Sequence, residues 1–206
     1  ASSLIDNFAL CLPDRIGNIT GTYSREYFFD YPTTNPLARI IMISPGLNFL
    51  NGGYYDYSLG TSHYNWVSSV IDSARASGIP WIVAGLHKNC ITMGTKPCEI
   101  GADITNLLLD KKVDLILQGH DHTYQRSKQL SLGQNCPAIV ADNYNSGCIS
   151  DDGSDNQYTK GAGSVIVIAG VGGQSLNGIN TADSESGYFA KWSGNNFEPT
   201  YGILKV

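Results

Sequence analysis

Three histidines in this chain stand where short apolar runs stop. His87 closes the run Trp81-Ile82-Val83-Ala84-Gly85-Leu86, and His120 and His122 follow Val113 to Leu117 across Gln118-Gly119. Neutral imidazole is the commonest metal ligand among side chains. Two of them at i and i+2 on an extended or turning backbone can present nitrogens to one region of space. Three imidazoles suffice to hold one zinc ion with an open position, so the chemistry within reach is metal-assisted attack by water. Asp121, between the last two histidines, is placed either to accept a hydrogen bond from an imidazole and orient it, or to face solvent. The fourth histidine, His63, falls in the first turn of a predicted helix, where an exposed or capping role is the usual one.

The elements that position these residues are legible from periodicity. The run 113–117 reads as a buried strand, and Gly119 lets the backbone turn at its end. The run 81–86 reads as another. Between them Glu99 to Lys112 has Ile100, Ile104, Leu107 and Leu108 at helical spacing, with Lys111 and Lys112 suited to its C-terminal turn. Upstream, Arg25–Tyr31 and Ala38–Ser44 form a predicted hairpin about Pro32–Pro36. Thr61 or Ser62 can cap a helix to about Ala76, with Tyr64, Val67, Ile71 and Ala74 on one face. Ser164–Ala169 reads as a strand buried on both faces, followed by a tight turn at Gly170-Val171-Gly172-Gly173, and Tyr201–Val206 as a last strand. The loop Gly46–Gly60 offers Tyr54, Tyr55 and Tyr57 as rim contacts or as solvated filler. Arg126 is expected to pair within the sheet. No linker, repeat or charge block divides residues 1–206, so one domain is the economical expectation.

Gly119-His120-Asp121-His122, extended through Thr123-Tyr124-Gln125-Arg126, resembles the Gly-His-x-His motif of the calcineurin-like metallophosphoesterases, and the longer Gly-His-x-His-x-Tyr-x-Arg form is most similar to their purple acid phosphatase branch. The order strand, His87, helix, strand, His120 and His122 matches that family step by step. The resemblance implies an α/β fold with mixed β-sheets packed as a sandwich flanked by helices. It also implies acid phosphatase-like hydrolysis of a phosphoester small molecule, and a centre of divalent or trivalent ions (Fe, Zn or Mn). His87 and His120 would then bind one ion and His122 the other, and His63 would bind none.

The family's earlier motifs are not found in these 206 residues. No Gly-Asp segment supplies a bridging carboxylate, and the nearest approach to Gly-Asn-His is Gly17-Asn18, followed by Ile19. The resemblance therefore covers the C-terminal half of the fold, and three expectations follow. The missing half resides on a second polypeptide of a nicked product, the sequence is partial, or the protein is a degenerate relative kept for binding or structure.

Composition narrows the rest. A net charge of −5 with no basic cluster excludes a nucleic-acid surface, and no apolar stretch approaches the length of a membrane span. The cysteines Cys90 and Cys98, and Cys136 and Cys148, pair locally in Gly- and Asn-bearing loops, without any Cys-x-x-Cys. Two local disulfides are the better reading, five reduced thiols in a cytosolic protein the alternative, with Cys11 left over. The sequon Asn18-Ile19-Thr20 is a glycosylation acceptor and, with the disulfides, points to a secreted protein. A serine hydrolase is disfavoured because no Gly-x-Ser-x-Gly occurs.

Overall fold

The computed structural model describes residues 19–49 and 53–205. Its frame is a nine-stranded mixed sheet in the order β1 (Thr20–Thr22), β2 (Glu26–Tyr31), β3 (Ala38–Met42), β6 (Trp81–Gly85), β7 (Leu115–Gln118), β10 (Ser164–Ala169), β8 (Tyr124–Leu130), β11 (Phe189–Ser193), with β9 (Ile149–Asp151) also pairing β8. The strands β3, β6, β7 and β10 run parallel, and antiparallel strands flank them on both sides. Parallel neighbours need crossover connections, and two of these carry the helices α1 (Ser62–Ala76) and α2 (Ala102–Asp110). A small ribbon of β4 (Asn48–Phe49) and β5 (Gly53–Tyr54) stands apart. The α/β class expected from the sequence is what the structure shows.

Period-two alternation decides which side chains form the core. Ile41, Ala84, Ile116 and Ile166 lie opposite one another across β3, β6, β7 and β10, and all are buried. They share one apolar cluster with Val67, Ile71 and Ala74 of α1 and Ile104, Leu107 and Leu108 of α2. Each isoleucine so buried contributes about 1.5–3 kcal/mol. The alternate row, Val83, Leu115, Val165 and Val167, lines an open groove of about 780 Å³ on the other face.

The helix expected over 99–112 is shorter, Ala102–Asp110, because Gly101 takes a positive φ of 83° and Glu99 donates its N–H to Asn89 O instead. Lys111 and Lys112 thus lie just beyond the last turn, and Lys111 pairs with Asp72 of α1 at 2.7 Å. Thr61 caps α1 by accepting from Tyr64 N. No strand forms at 201–205, where Ile203 is 96% exposed, and Val206 lies outside the described residues. The far edge is β11 instead. Tyr57 is buried rather than a rim contact, Tyr54 is exposed, and Tyr55 stacks on His63 with ring centroids 3.9 Å apart. His63 Nδ1 in turn contacts Glu26 Oε1 at 3.0 Å.

Arg39 ties β2, β3 and α1 together. Its guanidinium makes a two-pronged pair with Asp30 at 2.7 and 2.8 Å, donates to Val70 O and Ser73 Oγ, and lies 4.1 Å from the Phe28 ring centroid. Removing one partner of a buried pair leaves the other uncompensated. Arg39→Ala should therefore cost about 3 kcal/mol, read as a lowered urea midpoint at unchanged slope.

Candidate functional site

The three sequence-derived histidines lie at the carboxyl ends of β6 and β7, the rim where open α/β sheets bind ligands. The pairing of these strands continues past their ends. Leu86 N donates to Leu117 O, and the carbonyl of His87 accepts the N–H of both Gly119 and His120, at 3.0 and 2.8 Å. This brings His87 Nε2 to 3.0 Å from His120 Nδ1, with ring centroids 4.8 Å apart. His122, two residues on, is held differently, with Nδ1 at 2.9 Å from Ser175 O. Two of the three rings are therefore in direct contact and the third sits on the same turn. Among the described residues no three His, Cys, Asp or Glu side chains close around one point.

The donor set suits a transition-metal ion in part. Two nitrogens held at about 2.0–2.1 Å by one ion stand about 3 Å apart, which is the separation of His87 Nε2 and His120 Nδ1. Burial holds the pKa of His87 below the ordinary imidazole range, and the charges of His120 and Lys88 lower it further. Burial likewise lowers that of His120, outweighing the attraction of Glu99, with Lys96 and Lys88 adding to the effect. Both rings are thus neutral near pH 7, the state in which imidazole binds metal.

Glu99, expected from the sequence only to begin a helix, stands at the site. Its Oε2 is 2.8 Å from His120 Nε2, and its Oε1 accepts from Lys88 Nζ at 2.7 Å. Burial pushes its carboxyl up, but Lys88 and His120 outweigh that and hold it below the ordinary range. The signal available in sequence was its place directly after Cys98. The disulfides Cys90–Cys98 and Cys136–Cys148 are both present, and the first closes a loop whose ends carry Lys88 and Glu99. Cys11 and Asn18 lie outside the described residues.

Asp121 does neither of the things anticipated for it. It is fully buried, and its carboxylate faces the Cys90–Cys98 loop, accepting from Thr92 Oγ1 at 2.7 Å, Thr95 N at 3.0 Å and Asn177 Nδ2 at 3.2 Å. No imidazole among the described residues donates to it. Instead it clamps the histidine turn to that loop. Gln125 reinforces the clamp, accepting from Met93 N and donating to Thr92 Oγ1. Arg126 does not pair within the sheet as expected; it donates to Asn156 Oδ1 in the loop after β9. The turn at Gly170 packs directly on the site: its N–H donates to Thr123 O, and a Cβ there would collide with the Asp121 carbonyl and lie 2.6 Å from Gly119 O. Gly170→Ala should consequently displace the histidine turn and cost about 1–3 kcal/mol, measured by urea unfolding, with shifted NMR resonances of the His120 and His122 rings.

Glu185 anchors the same loop from below. Its buried carboxylate accepts from Thr92 N at 2.8 Å and Asp142 N at 2.9 Å, joining the two disulfide loops. Burial raises its pKa from 4.5 to about 7 despite these two donors. A carboxyl raised on folding contributes stability that is full below its unfolded value and is lost as pH rises through its folded value. The urea midpoint should accordingly fall between about pH 5 and 8, and Glu185→Gln should flatten that decline. Parallel curves for the two proteins would refute the assignment.

With the geometry in place, comparison with known proteins gives consistent results. No protein-family model matches the sequence. Among curated proteins the chain is 26% identical over 90 residues to purple acid phosphatase 18 of Arabidopsis thaliana, covering 42% of this chain and 21% of that protein. It is 31% identical over 81 residues to the probable purple acid phosphatase 20 of the same plant, covering 36% and 19%. A solved purple acid phosphatase from yellow lupin (Lupinus luteus) seeds superposes with a TM-score of 0.54 at 20% identity, over 82% of this chain and 26% of that one. The chain thus spans about a fifth of the length of the curated relatives it matches, and it has the fold of a purple acid phosphatase-like metallophosphoesterase in its C-terminal region.

Proposed function

We propose that this chain forms part of a metal-dependent phosphoester hydrolase of the acid phosphatase type, with His87, His120 and His122 as nitrogen donors to iron, zinc or manganese. The observation that carries this reading is the 3.0 Å approach of His87 Nε2 to His120 Nδ1 at the rim of parallel strands. The purple acid phosphatase-like sequence around Gly119–Arg126 and the similarity to the lupin structure support it.

Bound ions would supply a hydroxide nucleophile near neutral pH and a clamp on the phosphoryl oxygens. The chain's own residues do the rest. His87 and His120 stay neutral and present lone pairs, and Lys88 and Lys96 put positive charge beside them in a chain whose net charge is −5. Glu99 offsets Lys88 at 2.7 Å, so attraction for an anionic phosphoester would come from the bound ions rather than from the bulk charge. The 206 residues hold no Gly-Asp candidate for the carboxylate that bridges two ions in this family, and the proposal takes it from a segment outside them, on the same polypeptide or on a second one. A secreted location with a glycan on Asn18 also belongs to it, supported by the two disulfides. No helix among the described residues is long and apolar enough to cross a membrane.

A second reading is a non-catalytic relative kept for binding or structure; among the described residues no three His, Cys, Asp or Glu side chains close around one point. Metal analysis and cleavage of p-nitrophenyl phosphate separate the two, on protein whose polypeptides are identified by intact mass and denaturing gel. A hydrolase should carry at least one tightly held ion. His120→Ala should lose it and reduce cleavage about 100-fold or more. Protein that takes up no iron, zinc or manganese, cleaves nothing, and keeps its melting temperature in chelator is the second kind.

A further inference from the structure

We propose that Glu99 is a positioning residue that selects which nitrogen of His120 faces the ion. Its carboxylate takes the proton on Nε2 and leaves Nδ1 as the lone-pair donor beside His87 Nε2. The metal role of that donor rests on the reading above; the proton placement does not.

The two nitrogens of an imidazole lie on opposite edges of the ring, and in the neutral form one carries the proton while the other accepts. On one edge of His120, Nδ1 faces His87 Nε2 at 3.0 Å, and on the other Nε2 lies 2.8 Å from Glu99 Oε2. An ion held between His87 and His120 is therefore out of reach of Glu99. Glu99 Oε2 is buried with no hydrogen-bond partner of its own, and His120 Nε2 lies 2.8 Å from it. Leaving a buried carboxylate oxygen unmet is costly, which favours a proton on Nε2 and a small reorientation of the ring that delivers it. The other oxygen is committed to Lys88, and the backbone is fixed at both sides: Glu99 N donates to Asn89 O, the Cys90–Cys98 bridge closes the loop, and Gly46 packs so closely on the Glu99 carbonyl that a Cβ there would be 3.3 Å from its carbon. His122 shows the complementary arrangement. With Nδ1 bonded to Ser175 O, it is left with Nε2 as its donor atom. Neighbouring histidines on one turn are thus set to bind through opposite nitrogens, each by an acceptor behind the ring.

The experiment uses the full chain, as wild type, Glu99→Ala and Glu99→Gln, with Lys111→Ala as a surface control and circular dichroism as the test of folding. Long-range ¹H–¹⁵N NMR of the imidazoles in metal-free protein reads the tautomer directly. His120 should be protonated on Nε2 in the wild type, and in Glu99→Ala it should become a mixture. Zinc affinity, from competition with a chromophoric chelator, should fall about 10–100-fold in Glu99→Ala. It should largely recover in Glu99→Gln, whose amide oxygen can accept the same proton. A wild-type His120 protonated on Nδ1, or unchanged tautomers and affinity in Glu99→Ala, would overturn the proposal. Glu99→Gln as weak as Glu99→Ala would also overturn it, since the carboxylate would then be a ligand itself. Wild-type protein that binds no zinc defeats the metal reading alone, because the metal-free tautomers still decide the role of Glu99.

Discussion

The site depends on one backbone acceptor, the carbonyl of His87. It receives two N–H groups, from Gly119 and His120, two residues beyond the last regular pairing of β6 with β7 at Gly85 and Leu117. A backbone hydrogen bond contributes only about 1 kcal/mol net, but a doubly used acceptor also fixes direction. The chain after β7 must fold back over His87, and the side chain of His120 then has little choice but to lie against the His87 ring. Ring placement is thus a consequence of strand register, which the cross-sheet row Ile41, Ala84, Ile116 and Ile166 holds from the core.

Beneath that turn lies a buried polar network rather than an apolar one. Asp121, Thr92, Gln125 and Glu185 connect the histidine turn, the Cys90–Cys98 loop and the Cys136–Cys148 loop through bonds of 2.7–2.9 Å. In a low-dielectric interior such bonds are strong, and an unmet partner is costly, so the loops are confined to the arrangement that satisfies every member. An apolar core of the same volume would tolerate sliding. A metal-binding turn cannot, since donor atoms misplaced by an ångström lose the ion. The disulfide limits the loop's span, and the network fixes its orientation.

How much of this the sequence carried follows from which residues face the core. The strands β6, β7 and β10 and the helix α1 were legible because apolar side chains alternate or recur along them, and Thr61 announces the cap. The cysteine pairs were legible from spacing, and the position of the histidines from the glycine after the apolar run. The strand β8 escaped because its buried face is Gln125, Ser127 and Gln129, so apolar periodicity is absent where burial is complete. Ser127 Oγ accepts from Ile166 N at the bulge in β10, and Gln129 donates to Thr159 O, so these polar groups replace ladder bonds that irregular pairing forfeits. The aromatic and aliphatic pattern at 201–205 suggested a strand, but no neighbour pairs it there, and pairing rather than propensity makes a strand. Asp121 and Glu99 were the harder cases. A carboxylate between two histidines looks like their partner, yet successive side chains on a turning backbone point apart, and the carboxylate that lies 2.8 Å from His120 comes from 21 positions upstream.

Charge around the histidines works in two opposed directions. Lys88 discourages protonation of both His87 and His120, and Lys96 that of His120, which keeps lone pairs available, but the same cations repel any ion that would use those lone pairs. Glu99 resolves the conflict by position. Set between Lys88 and His120, it offsets the lysine at 2.7 Å, and its other oxygen lies 2.8 Å from Nε2 on the far edge of the ring, where the proposal places the proton. Charges beyond about 8–10 Å are screened in water, so the excess of acidic residues elsewhere cannot substitute for it. Without Glu99 the lysine would face the rings unopposed. Burial and the lysines keep the imidazoles neutral against the pull of Glu99, and the role proposed for Glu99 is to direct the proton of His120, the combination a metal ligand requires.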